Sequence, residues 1–175
     1  MFSACKKLIF SLFVILLVSI SGTAGSVQAD VPPTSAEAAC LIDADTGRIL
    51  YRVNPDKWVH PASTTKIVTM ITALDQGKDK LDKPLHISWE AANTEPSSLG
   101  IAPGDQITLK EALRGMMVVS GNDAAVAVAE TVGGSVAGFA DMMNAEAVKM
   151  GATHSHFVNP NGLTAAGHHT TAVDM

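Results

Sequence analysis

Pro61-Ala62-Ser63-Thr64-Thr65-Lys66-Ile67-Val68-Thr69-Met70-Ile71-Thr72-Ala73-Leu74 is the stretch on which the reading of this chain turns. A proline opens it, and Ile67, Met70, Ile71 and Leu74 recur at helical spacing on one face. Gly77 is a natural stop. The β-branched residues Thr64, Thr65, Val68, Thr69 and Thr72 would suit a strand. The helical period and the proline start decide for a helix. On it Ser63 and Lys66, three apart, share a face, so hydroxyl and amine can meet. A free serine is a poor nucleophile and needs a base beside it. A lysine serves if desolvation or neighbouring positive charge lowers its pKa. Near a helix start, the backbone amides also favour negative charge developing at the serine. Taken alone, the same four residues are an ordinary N-cap serine with a lysine in the first turn.

Working outward, two apolar runs precede this element, at 38–42 and 49–53. Between them Asp43-Ala44-Asp45-Thr46-Gly47 has the chemistry of a hairpin loop longer than two residues, which predicts two antiparallel strands. Asn54-Pro55-Asp56 breaks the pattern. Downstream, 78–103 is mixed and turn-rich. Thr108-Leu109-Lys110-Glu111 is a capping box, and it predicts a helix burying Leu109, Leu113, Met116 and Met117. Ser120-Gly121-Asn122 interrupts that helix, and an alanine-rich one resumes towards Gly133-Gly134. A third starts at Ser135, burying Val136, Phe139, Ala140, Met143, Ala147 and Met150, with Gly151 as its cap.

The break at Ser120-Gly121-Asn122 can point polar side chains into a cleft. Ser120 could relay a proton between Lys66 and a leaving amine, and the Asn122 amide could hold a peptide group by donating and accepting together. The same three residues also serve as plain helix punctuation.

Composition narrows the classes. At 47% hydrophobic and 17% charged, the 175 residues can bury a core. A net charge of −5 offers no basic footprint for nucleic acid. Lys6 and Lys7 precede an apolar stretch from Leu8 to Ile20, and Val27-Gln28-Ala29 is a small-residue cleavage site. Residues 1–29 therefore read as a signal peptide and the chain as exported, with 30–36 as a linker. The stretch is short of the ~20 residues of a membrane span. Cys5 leaves with the leader, so Cys40 has no disulfide partner and reads as a small apolar filler rather than a catalytic thiol. His154 and His156 are two apart and His168 and His169 adjacent, neither being the helical pair of zinc peptidases. No metal or cofactor is expected.

Ser63-Thr64-Thr65-Lys66 and Ser120-Gly121-Asn122, in this order and with their flanks, resemble the penicillin-recognising serine D-alanyl-D-alanine carboxypeptidases. The likeness extends to Asp45-Thr46-Gly47, Asp123-Ala124-Ala125, Met143-Asn144 and the run Phe157-Val158-Asn159-Pro160-Asn161-Gly162-Leu163. It implies an α/β fold of the α+β type, β-lactamase/transpeptidase-like: an antiparallel sheet packed by helices, plus a mostly helical lobe, with the active cleft between them. It also implies roles. Ser63 would attack the carbonyl between two terminal D-alanines of a peptidoglycan stem peptide, Lys66 would act as base, Ser120 would pass protons and Asn122 would position substrate. The Ser63 amide would supply half of an oxyanion hole. β-Lactams would acylate the same serine. Family members trim stem peptides to control wall cross-linking at the cell envelope, and many carry a C-terminal membrane anchor.

One departure stands out: the family's Lys-Thr-Gly occurs nowhere in the chain. Residues 37–175 thus read as a partial peptidase domain, incomplete at its C-terminus, and the fragment as inactive by itself. Two rivals remain. A class A β-lactamase needs a further glutamate downstream, and none follows Glu146. A non-catalytic peptidoglycan-binding envelope protein would have lost Lys-Thr-Gly by divergence.

Overall fold

Strands β1 (Ala39–Ile42) and β2 (Ile49–Val53) pair antiparallel in the computed structural model, which describes residues 33–175. Ala39 faces Val53, Cys40 faces Arg52 and Leu41 faces Tyr51, with a register shift before Ile42 meets Ile49. The loop closes as its residues dictate. The Asp43 carboxylate accepts from the Thr46 amide at 2.9 Å and the Thr46 hydroxyl at 2.5 Å. Gly47 then takes φ 70°, a conformation that strains any residue with a Cβ.

After Pro61 comes a single 3-10 turn, Ala62–Thr64, which runs into helix α1 (Thr65–Gln76), ended by Gly77. A short helix α2 (Trp89–Ala92) follows, then α3 (Leu109–Val119), α4 (Asn122–Gly133) and α5 (Val136–Lys149). The capping box forms: Thr108 Oγ1 accepts from the Glu111 amide, and Glu111 Oε2 from the Thr108 amide at 2.9 Å. Ser135 Oγ caps α5 by accepting from the Gly138 amide at 3.0 Å.

The core lies where α1, α3 and α5 surround α4. Ala124, Ala125, Ala127 and Ala129 are wholly buried, and their small side chains let the neighbouring helices approach closely. Leu109, Leu113, Met116, Phe139 and Met143 fill the spaces between. Burial of each such large apolar side chain stabilises by about 1.5–3 kcal/mol. Residues 35–175 form one unit.

Several sequence expectations need correction. In α1 the apolar residues Ile67 and Leu74 are exposed, while Thr65, Lys66, Val68, Thr69, Thr72 and Ala73 are buried. Two of these threonines find polar partners inside: Thr69 Oγ1 donates to the Pro160 carbonyl at 2.7 Å and Thr65 Oγ1 pairs with His168 Nε2 at 2.9 Å, whereas Thr72 Oγ1 is buried without one. Met117 and Met150, assigned to buried faces, are each 45% exposed. Met117 sits on the flank of the Leu109–Leu113–Met116 stripe, and Met150 has passed the end of α5 into its C-cap. The signal-peptide segment lies outside the described residues. Among these, no helix is long and apolar enough to cross a membrane.

Candidate active site

Ser63 sits in the 3-10 turn, exposed, while Lys66 in the first turn of α1 is only 2% exposed. The lysine amine donates to Ser63 Oγ at 3.2 Å, to Asn122 Oδ1 at 2.7 Å and to the Asn161 carbonyl at 2.7 Å. All three acceptors are neutral. Among the described residues no carboxylate pairs with this amine, and burial holds the Lys66 pKa below its ordinary 10.5. A neutral amine keeps two N–H groups and one lone pair. The two shorter contacts can take the N–H groups, which leaves the lone pair facing the Ser63 hydroxyl.

Asn122 enters the site because α3 ends and α4 begins beside it. Ser120 closes α3 in the left-handed conformation, φ 58°, and Gly121 is the N-cap of α4. A Cβ at Gly121 would lie 2.9 Å from Asp123 Oδ1 and 3.0 Å from the Leu99 amide, so the close approach requires glycine. Asn122 is nearly fully buried, and its Nδ2 donates to the Glu95 carbonyl at 2.8 Å. Its own amide donates to the Ser97 carbonyl at 2.7 Å. Ser63, Lys66 and Asn122 are thus brought together. Ser120 lies in the adjoining turn, but its hydroxyl is not among the partners of Lys66 Nζ.

Two neighbours carry weight that sequence reasoning did not assign. Asp123 is wholly buried, and its carboxylate accepts from Ser98 Oγ at 2.6 Å and from the amides of Leu99, Gly100, Ile101 and Ala124. Burial by itself pushes this carboxyl up, but the hydrogen bonds from Ser98, Leu99, Ala124 and Gly100 outweigh it and hold the pKa below 3.8. The carboxylate thereby fastens the 98–101 loop to the start of α4.

The second neighbour is the run 157–163. Asn144, on α5, donates to the Phe157 carbonyl and accepts from the Phe157 amide, both at 2.8 Å. Asn159 Oδ1 accepts from the Gly162 amide at 2.8 Å, and its Nδ2 donates to the Leu163 carbonyl at 2.8 Å. This closed turn presents the Asn161 carbonyl to Lys66. Gly162, at φ 88°, lies against the backbone just before Ser63: a Cβ there would be 1.8 Å from the Ala62 carbonyl oxygen. The Asn-Pro-Asn-Gly turn signal was visible in sequence, but nothing in it named a backbone oxygen as the lysine's partner.

The other candidates lie apart from this group. Cys40 is a free, half-buried thiol within β1. His156 and His169 both direct Nδ1 at the Gly167 carbonyl, and His154 Nδ1 lies 3.8 Å from Asp174. Among the described residues, no three His, Cys, Asp or Glu side chains group so as to hold a metal ion.

The D-alanyl-D-alanine carboxypeptidase family profile matches residues 25–175. The chain is 40% identical to D-alanyl-D-alanine carboxypeptidase DacF of Bacillus subtilis, over 97% of this chain and 46% of that protein. It is 34% identical to DacC of Escherichia coli, over 92% and 42%. Among solved structures, the D-alanyl-D-alanine carboxypeptidase DacD of Francisella tularensis superposes with a TM-score of 0.77 at 35% identity, covering 88% of this chain and 40% of that one. One from Mycobacterium tuberculosis superposes at 0.79 with 30% identity, covering 85% and 56%. The chain spans about half the length of the curated relatives it matches. With a family match over most of its length and solved relatives that superpose with TM-scores of 0.77 and 0.79, the chain belongs to the D-alanyl-D-alanine carboxypeptidase family.

Proposed function

We propose that this chain carries the nucleophile-bearing part of a serine D,D-carboxypeptidase that removes the terminal D-alanine of peptidoglycan stem peptides. The observation that supports it best is the buried lysine amine whose three described partners are all neutral, 3.2 Å from an exposed serine hydroxyl. In this reading Ser63 Oγ attacks the penultimate D-alanine carbonyl while its proton passes to Lys66 Nζ. The tetrahedral oxyanion is met by the Ser63 amide. The C–N bond then breaks, and the leaving amine of D-alanine takes a proton handed on through Ser120. Water hydrolyses the resulting ester with Lys66 again as base. Asn122, which orients Lys66, also offers its amide to the substrate's peptide group. A leader over residues 1–29 would export the protein to the cell envelope, where its substrate lies.

The test is the intact mass of the protein from its complete reading frame after incubation with benzylpenicillin, beside Ser63→Ala. A persistent adduct present in the parent and missing in the variant is expected. Rapid hydrolysis without accumulation would point instead to a β-lactamase. A folded parent that takes up no adduct would refute the acylating serine and favour a binding-only envelope protein.

A further inference from the structure

His168 is 2% exposed, and both of its ring nitrogens are engaged. The Val158 amide donates to Nδ1 at 3.1 Å, so Nδ1 carries no proton. Nε2 therefore holds the ring hydrogen and donates it to Thr65 Oγ1 at 2.9 Å. Phe157 packs edge-on against the ring at 5.6 Å. The backbone is held as well: the His168 amide donates to the Ala165 carbonyl at 3.1 Å, and its own carbonyl accepts from His60 Nδ1 at 3.2 Å.

The two partners of the ring belong to the two sides of the candidate active site. Thr65 lies between Ser63 and Lys66 at the start of α1. Val158 lies three residues before Asn161, whose carbonyl accepts from Lys66 Nζ. One planar, rigid ring thus spans the helix turn that carries the nucleophile and the segment that carries the lysine's acceptor. We infer that His168 is a positioning residue for acylation: its imidazole sets the gap between the 158–162 segment and the first turn of α1, and through the Asn161 carbonyl it aims Lys66 Nζ at Ser63 Oγ. This inference rests on the Ser63–Lys66 reading proposed above.

The chemistry of the ring suits that role. Burial, helped by the neighbouring His156, His60 and His169, pushes its pKa down to about 4, so it stays neutral near neutral pH with one tautomer selected. A second ring proton would place Nδ1–H against the Val158 N–H. The spacer works only as an acceptor on one side and a donor on the other.

A neutral amide offers the same acceptor and donor, which makes the test specific. In the protein from its complete reading frame, the rate of benzylpenicillin adduct formation is followed by intact mass, with a thermal melt for each variant. His168→Gln can accept from Val158 and donate to Thr65, and it should acylate within about threefold of the parent. His168→Asn reaches Val158 but not Thr65, and His168→Leu satisfies neither. Both should acylate at least ~10-fold more slowly, because small misplacements of reacting groups cost rate steeply. Filling of space alone would rank leucine with glutamine, so the order of the variants is the readout. A folded His168→Leu acylating as fast as His168→Gln overturns the inference, and so does a folded His168→Gln as slow as His168→Asn. If His168→Leu fails to fold, the glutamine–asparagine pair decides. A parent that forms no adduct removes the Ser63 reading and this one with it; a reactive parent with indistinguishable variants removes this one alone.

Discussion

Gly162→Ala is the substitution for which the structure gives the sharpest expectation. The position has φ 88°, and a Cβ there would lie 1.8 Å from the Ala62 carbonyl oxygen and 2.4 Å from the Ala62 carbonyl carbon. Ordinary contact begins near 3.4 Å, so the backbone one residue before Ser63 would have to retreat by roughly 1.5 Å, with no flexible side chain to absorb the shift. Left-handed backbone strain contributes about 1–2 kcal/mol for a residue with a Cβ. Overpacking adds about 1–3 kcal/mol. Gly151 supplies the control: it has φ 87° but nothing within 4 Å of its Cβ position. Gly151→Ala should therefore show the strain alone, about 1 kcal/mol. Gly162→Ala should cost about 2 kcal/mol more in denaturant melts. Its displacement falls on the nucleophile, and a 1 Å misplacement can cost ~100-fold in rate. Benzylpenicillin acylation should accordingly fall on the order of 100-fold in Gly162→Ala and stay within about twofold of the parent in Gly151→Ala. Equal losses of stability and equal acylation in the two variants would refute the steric argument and show that only backbone strain matters at both positions.

Three further outcomes follow from the same geometry. Because burial holds Lys66 below 10.5, the unfolded chain binds its proton more tightly, and this group's contribution to stability rises as pH climbs from the folded pKa to 10.5. The acylation rate should rise with pH along a limb centred below 10.5; a midpoint at 10.5 or higher would show that burial does not set the base. Asp123→Ala strips an acceptor from four backbone amides and should destabilise by about 3 kcal/mol in urea melts, with a near-neutral result refuting the clamp. In the parent, Asp123's contribution is present above pH 3.8 and is lost as pH falls through its lower folded pKa. Thr108→Ala removes one half of the capping box and should lower stability by ~1 kcal/mol without changing acylation; a loss of adduct there would mean that α3 is coupled to the site more tightly than its cap implies.

Local physics was legible in the sequence, and the residues show why. The hairpin of β1 and β2 followed from two apolar runs and an Asp-Thr-Gly loop whose own side chains close it. The capping box at Thr108 and the Ser135 cap are contacts over three residues, readable from spacing. The meeting of Ser63 and Lys66 is of the same kind, since three residues of helix bring them together whatever surrounds them.

The sequence could not say which face of α1 would be buried. Ile67 and Leu74 had the apolar pattern, but the threonine side went inward, where Pro160 and His168, about a hundred residues on, meet the hydroxyls of Thr69 and Thr65. Nor could it name the third partner of Lys66, which is a main-chain oxygen of Asn161; every residue has one, so no residue type announces it. The same holds for the Asp123 carboxylate, whose acceptance of the 98–101 loop depends on how α4 meets that loop in space. By itself, then, the sequence determined the hairpin, the four long helices, the serine–lysine pair and the family, because these rest on short-range geometry and on motif order, while the short helix Trp89–Ala92 went unread in a turn-rich stretch. Tertiary structure alone decided that the lysine is buried among neutral oxygens, and desolvation is a property of what packs around a group rather than of the group's own neighbours in the chain.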